Sequence, residues 1–417
     1  MEQKNYRVLL TQKQYVKLLL ADLVSRFGDS LDAIAYSWIM YEITGSESLM
    51  AFILGLNYVP TVLLQPFAGA LVDRINKKVL MVVTDILRFV IVASLVILYS
   101  NHLLTPWIIA ILTLFTSTVE AFRLPAGNAV TPLLLDQEYY TIAKAANYSL
   151  SRVSQLGGYI LSGALISLIG SVGVLWIDAA TFAISAFAIS TIKLSEKKGK
   201  ERISSRQVFQ DFKEGIVFLK NSQIVRVVSM IGLVINFGLM PLTVFQTPYV
   251  SDYLHMGPEV LSYIKILMII GMMVGAAITP KLLKVPKSYL CTIAGIGMGL
   301  AIACMYITAT VETTTAKMIL LTLSMTSVGI GGGILNVVIG SSMMAAVPKE
   351  IMGRISALNG AIMGASMPVG SFLCSLLVLK LNVIQLFLLF GVLTIIFYSY
   401  LALCHKINSI DTASSST

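Results

Sequence analysis

The chain has 417 residues, of which 56% are hydrophobic and only 12% charged, with a mean hydropathy of +0.83. Soluble domains carry about 25% charged residues, so this composition excludes a soluble globular protein and describes an integral membrane protein. The formal charge of +9 does not imply a nucleic-acid partner, because the basic residues fall mostly in alternate short loops rather than in one patch.

Apolar runs of about 20 residues, the length that crosses a hydrocarbon core as a helix, recur along almost the whole chain. A transmembrane β-barrel would instead alternate apolar and polar residues. The runs predict twelve spans in two groups of six: 18–43, 49–72, 79–100, 106–125, 141–169 and 171–193, then 223–250, 258–283, 287–309, 316–340, 351–379 and 382–405. Residues 1–17 are polar and basic, and no small-residue cleavage site follows the first apolar run, which predicts a retained helix rather than a signal peptide. The expected organisation is an N-terminal segment 1–17, a six-helix bundle 18–193, a linker 194–222, a second bundle 223–405 and a tail 406–417. Within the linker, Val208, Phe209, Phe212, Ile216 and Leu219 predict an amphipathic surface helix over 207–219.

Lysine and arginine accumulate in cytoplasmic loops. Here they mark the loops after spans 2, 4, 6, 8 and 10, while the opposite side keeps only Lys317 and Lys380, so both termini are expected in the cytoplasm of a bacterial plasma membrane. A weak repeat relates the halves: Pro132 is read as opening a loop followed by Asn147 and glycines 157, 158 and 163, and Pro348 as opening another followed by Asn359, Gly364 and Gly370. Cys291, Cys304, Cys374 and Cys404 lie in apolar runs without paired spacing, which predicts buried free thiols and no metal site.

Charges within a bilayer cost at least about 2.5–3.5 kcal/mol each and mark function or pairing. Span 1 places Asp22, Arg26, Asp29 and Asp32 on one helical face. Asp29 and Asp32 are the leading candidates to carry a coupling proton, with Asp22, Arg26 and Glu120 beside them; a purely structural ion-pair cluster is the alternative. Asp85 and Arg88, one turn apart in span 3, read as a structural pair, and Glu120 with Arg123 invite the same reading. Arg152 in span 5 and Asp178 in span 6 are placed to pair across helices.

The second half is nearly uncharged within its spans, Lys265 excepted. Lys265 suits either an anionic substrate group or a snorkelling role. Tyr36, Trp38, Asn57, Asn147, Arg152, Asn236, Gln246 and Asn336 join it as candidate cavity residues. The run Gly329, Gly331, Gly332, Gly333 lacks the Lys-Ser/Thr ending of a phosphate loop and predicts close helix packing or a hinge. Nineteen methionines suit a plastic apolar cavity, although many will be core. His102, His255 and His405 sit at span ends, and no nucleophile has a base at a readable offset, which argues against a membrane enzyme.

Gly69-x-Leu71-x-Asp73-Arg74-x-x-Lys77-Lys78, between spans 2 and 3, resembles the signature loop of the major facilitator superfamily. Ala121-Phe-Arg-Leu-Pro125-Ala-Gly-Asn128 and Val347-Pro348-Lys349-Glu350-x-x-Gly353-Arg354 are similar to segments of its macrolide-efflux-like, twelve-helix drug:proton antiporters. The resemblance implies alternating access of two six-helix bundles, with protons and a small molecule as cargo and no cofactor. It further implies a conformational switch in which Asp73 docks at the helix start near Gly353 and Arg354, while Arg74 and Lys78 meet acids and lipid phosphates, with Gly69, Lys77, Asp85 and Arg88 supporting the turn. Departures are Thr116, where many drug antiporters carry arginine in helix 4, and Gly157-Gly158-Tyr159, where helix 5 often has Gly-Pro. The expected function is proton-coupled efflux of amphiphilic or drug-like molecules by a monomer. Export of an endogenous siderophore, peptide or lysolipid is the alternative, and a sensor or scaffold without transport is the alternative of another class.

Overall fold

The structure, a computed structural model, describes residues 7–72, 75–194, 217–282, 285–348, 351–404, 407 and 411. Among these residues the regular secondary structure is helical, with short turns between the helices. The long helices are α1 (Lys13–Thr44), α2 (Glu47–Val72), α3 (Lys77–Ser100), α4 (Pro106–Leu134), α5 (Tyr140–Ser190), α6 (Gln223–Gly238), α7 (Glu259–Leu282), α8 (Lys287–Thr310), α9 (Thr314–Ala346), α10 (Met352–Leu377) and α11 (Val383–Leu403). Ten segments among the described residues are long and apolar enough to cross a membrane. That set leaves out α1, which has the length but carries charge along it, and takes 142–190 as one segment.

Helix α5 is broken at Gly170, whose φ of +72° and ψ of 169° are the only non-helical values inside it. The break divides it into arms 140–169 and 171–190. A side chain at that φ and ψ, a region adopted essentially by glycine alone, is strained by about 1–3 kcal/mol, with no described neighbour within 4 Å to add a clash. Gly170→Ala is therefore expected to destabilise the purified protein by that modest amount, read as a lowered thermal midpoint; an unchanged midpoint would show that the two arms need no positive-φ residue between them.

Several boundaries differ from those read in the sequence. Span 4 does not end at Pro125: α4 continues to Leu134 with Pro125 and Pro132 inside it, so Pro132 opens no loop. A proline removes one N–H and strains one carbonyl, which a well-packed helix can absorb. Span 7 is not one helix. After Gly238 the chain continues as Met240–Val244, Gln246–Pro248 and a π-helical stretch Tyr249–Tyr253, with Pro241 and Pro248 disfavouring an unbroken α ladder. The amphipathic helix expected at 207–219 lies almost wholly outside the described residues, which resume at 217 with 217–221 helical. Cys291 and Cys374 are buried free thiols, Cys304 is half-buried, and Cys404 is exposed rather than buried because it follows the last turn of α11.

The chain divides into two compact units. The first takes the described residues of Met1–Gly45, Leu56–Arg202 and Pro258–Ser262, and the second those of Ser46–Gly55, Ile203–Gly257 and Tyr263–Thr417. In the first unit α1 is the central helix. Its residues Leu18, Ala21, Ser25, Gly28, Leu31, Ala35 and Ile39 form a buried seam at helical spacing. Ser154 Oγ donates to Leu23 O at 2.7 Å and Ser162 Oγ to Leu31 O at 3.3 Å, so the first arm of α5 runs parallel to α1. Gly158 lies between these serines, where a Cβ would come within 2.7 Å of Phe27 O. Small residues with hydroxyl-to-carbonyl bonds are how helices approach in a bilayer, where burying apolar surface gives little drive.

In the second unit the same chemistry recurs with glycine. Gly271, Gly275, Gly329 and Gly333 bring α7 and α9 into backbone contact, and Gly299 with Gly391 does so for α8 and α11. The glycine run of α9 is thus packing surface. Tyr249 OH donates to Met305 O at 2.9 Å, and its ring meets Phe387 edge-on at 5.0 Å. Lys317, read in the sequence as an outer-loop cation, is buried in α9 and donates to Leu254 O at 3.3 Å.

Candidate functional site

The first unit holds its membrane charges in two linked tiers. In one, Arg123 of α4 reaches two acids: Nε donates to Asp85 Oδ1 at 2.8 Å and Nη2 to Asp22 Oδ1 at 3.0 Å. Ser185, on the second arm of α5, donates to Asp85 Oδ2 at 2.7 Å. Asp85 is fully buried and Arg123 is 9% exposed, so four helical segments meet at one desolvated guanidinium. A bidentate fork suits this task, and lysine could not span both carboxylates.

In the second tier Arg88 Nη2 donates to Asp29 Oδ1 at 2.6 Å, and the Arg88 guanidinium lies 4.0 Å above the ring of Phe182. The i, i+3 spacing of Asp85 and Arg88 had suggested that they pair with each other. They do not: the two side chains share a face of α3, but Asp85 turns to Arg123 and Arg88 to Asp29. Arg26, one turn from Asp29, stands at 3.9 Å with its side chain 45% exposed and is a minor partner. Asp32 is half-buried and accepts no hydrogen bond from any described residue. Glu120 also lacks one, and its charge acts on Asp32 and Arg88.

The expected Arg152–Asp178 pair does not form. Arg152 Nη1 donates to Gln155 Oε1 at 2.8 Å and stacks on Tyr148, a partner set within its own helix. Asp178 stands instead beside Thr181 on the second arm. Arg123, Ser185, Phe182 and Asp178 are the residues that sequence reasoning undervalued. Ending span 4 at Pro125 placed Arg123 at a helix end, whereas α4 carries it well inside, and a serine in an apolar run gives no signal of its partner.

Of the cavity candidates, Tyr36 bonds Thr113 through its hydroxyl, Asn147 accepts from Ser151 Oγ at 3.3 Å, and Asn236 donates to Met363 O at 3.2 Å. Gln246 is buried with its amide 4.0 Å from Met268 Sδ. Trp38 and Asn57 are half-buried, and Asn336 is exposed on α9. Lys265 on α7 forms no hydrogen bond or ion pair with a described residue. No hydrogen bond among the described residues joins one of these candidates to another. Many methionines are plain core, Met298, Met305 and Met325 among them.

At the switch, Gly69 is in the last turn of α2 and Gly353 and Arg354 are in the first turn of α10, while Asp73 and Arg74 lie outside the described residues. Lys77 and Lys78 begin α3, whose N-terminus is capped by Asn76 Oδ1 accepting from Val79 N at 2.9 Å. A shallow groove of about 450 Å³ is lined by Lys78, Ser190, Thr191, Ile192, Lys193 and Leu194. Among the described residues no three His, Cys, Asp or Glu side chains converge as metal ligands.

Residues 18–371 match the model of the Major Facilitator Superfamily. The chain belongs to the major facilitator superfamily. It is similar to Macrolide efflux protein A of Streptococcus pyogenes, 24% identical over 394 residues that cover 93% of this chain and 95% of the relative. It is also similar to Multidrug efflux pump Tap of Mycobacterium tuberculosis, 25% identical over 301 residues, covering 68% of this chain and 69% of the pump. Among solved structures, the nucleoside transporter NupG superposes with a TM-score of 0.75 at 15% identity, covering 93% of this chain and 99% of NupG. A bacterial homologue of the iron transporter ferroportin does so with a TM-score of 0.72 at 16% identity, covering 93% and 98% of the two chains. These structural likenesses concern the fold. As a member of the superfamily the chain is a multi-pass membrane protein and a secondary transporter, and not an enzyme.

Proposed function

We propose that this facilitator exports amphiphilic, drug-like molecules in exchange for protons, by alternating access of twelve spans arranged as two six-helix bundles. The spans are α1 to α4, the two arms of α5, and six from 223 to 405. The bundles cover 18–193 and 223–405, joined by the linker 194–222, and the terminal segments 1–17 and 406–417 both lie in the cytoplasm. The protein works as a monomer with lipid at its basic turns, Lys78 among the contacts.

One observation carries the coupling reading: the two arginine-centred tiers, Asp22–Arg123–Asp85 and Asp29–Arg88, all fall in the first unit. Desolvated charges are retained in a membrane where they do work, and carboxylates sharing guanidinium partners can trade protons without leaving a bare charge. Similarity to Macrolide efflux protein A over nearly the full length of both chains supports the outward direction and the substrate class. The switch assigned to Gly69, Asp73, Arg74, Lys77, Lys78, Gly353 and Arg354 follows from the resemblance of the turn.

The test is efflux in everted vesicles driven by an imposed pH gradient, with a macrolide and a lipophilic fluorescent cation as probes. Asp29→Asn and Asp32→Asn should each lower the rate by about tenfold or more, equivalent to about 1.4 kcal/mol, at unchanged membrane insertion. Full activity in both variants would remove α1 from the coupling path. Wild-type vesicles that move neither probe, from a strain whose deletion changes its secreted metabolites, would favour an endogenous cargo.

A further inference from the structure

Asp178 occupies the second arm of α5 and is 0% exposed. Thr181 Oγ donates to its backbone carbonyl at 2.7 Å and lies 3.4 Å from Oδ1, while Oδ2 has no hydrogen-bond partner among the described residues. Helix α1 closes over the carboxyl group through Gly28, where a Cβ would stand 2.4 Å from Asp178 Oδ1. The site is therefore sealed from the side on which α1 packs.

No cation touches it among the described residues. The charged groups that face it are Asp29 and Asp32 from α1 and Arg88 from α3, and Glu120 of α4 acts in turn on Asp32 and Arg88. Arg88 is committed to Asp29 through Nη2 at 2.6 Å. Its Nε is buried and donates to no described residue, and its guanidinium rests on Phe182, one turn beyond Asp178 on the same arm. A sealed carboxylate without a counter-ion costs several kcal/mol, and the neutral acid avoids that cost.

We propose that Asp178 is a proton-binding site that exchanges with the neighbouring Asp29–Arg88 pair. This rests on the first unit being the coupling half. In the state described here Asp178 is the neutral acid and Asp29 the carboxylate held by Arg88. When Asp29 takes a proton from water, its charge is lost and Arg88 turns across the Phe182 ring to Asp178, which releases its own proton to water. One proton enters and one leaves, and the summed charge of the three side chains is zero before and after.

The test uses the purified full-length protein and no transported substrate, so it stands apart from the efflux reading. Infrared difference spectra at neutral pH should contain the C=O band of a protonated carboxylic acid, which Asp178→Asn removes. Asp29→Asn should also remove it, because the freed Arg88 then pairs with an ionised Asp178. Thr181→Val, which keeps the carboxyl group and removes its hydroxyl neighbour, should shift the band without abolishing it. Should Asp178→Asn fail to fold, the Thr181→Val shift carries the assignment. A band that survives Asp178→Asn, or is unmoved in Thr181→Val, overturns the site. A band unaffected by Asp29→Asn overturns the exchange.

Discussion

Arg123→Leu is expected to be the most damaging single substitution in the first unit, lowering stability by about 3–5 kcal/mol, the usual loss when one member of a buried ion cluster is removed. The reason lies in what remains. Asp85 is fully buried and would keep only the Ser185 hydroxyl, and Asp22 would lose its 3.0 Å contact. Protein recovered from membranes in mild detergent should show a thermal midpoint far below wild type, or no monodisperse fraction. The companion Arg123→Leu/Asp85→Leu removes the orphaned charge with its partner, and should recover much of the lost stability while abolishing transport. Arg123→Lys should fall between, since one ammonium cannot serve both acids. If Arg123→Leu alone keeps the wild-type midpoint, the tier is solvated in the membrane and contributes no structure.

Within the glycine run of α9, neighbouring positions should respond in opposite senses to the same substitution. A Cβ at Gly333 would stand 2.2 Å from Met272 O, and one at Gly329 would stand 2.4 Å from Met268 O, both on α7. These are backbone atoms that no rotamer change can move aside. Gly333→Ala and Gly329→Ala should each destabilise by about 1–3 kcal/mol as α7 and α9 are forced apart. Gly332 has nothing within 4 Å, and Gly332→Ala should be neutral or stabilising by up to about 1 kcal/mol through helix propensity. Thermal unfolding of the three variants decides the matter. Equal loss at Gly332 and Gly333 would mean that the run serves as a hinge, where flexibility matters at every position, rather than as a contact surface.

Hydropathy and length alone place the helices, because a bilayer demands about 20 apolar residues per crossing. The helices from Lys287 to Leu403 therefore lie close to their expected spans. Proline acts in both senses here: Pro241 and Pro248 lie where span 7 breaks up, whereas span 4 runs on past Pro125. Pro125 and Pro132 remain inside α4 because neighbouring helices hold that region together, and no local rule reports such support. Gly170 shows the reverse case: one residue of backbone conformation decides that arm 140–169 ends there.

By itself the sequence determined that this is a helical membrane protein, which residues carry its costly charges, and that the turn after α2 bears the mark of a facilitator. Those conclusions depend on residue type and local spacing, which the chain states outright. Only the tertiary structure decided who meets whom. Asp85 and Arg88 lie one turn apart, yet each finds a partner on another helix, and Asp178 pairs with no cation among the described residues. Helical spacing places side chains on a common face, but the rotation and approach of the neighbouring helix select the contact. That approach is set by residues with no charge, Gly28, Gly158 and Ser154, whose small size lets α1 settle against both arms of α5.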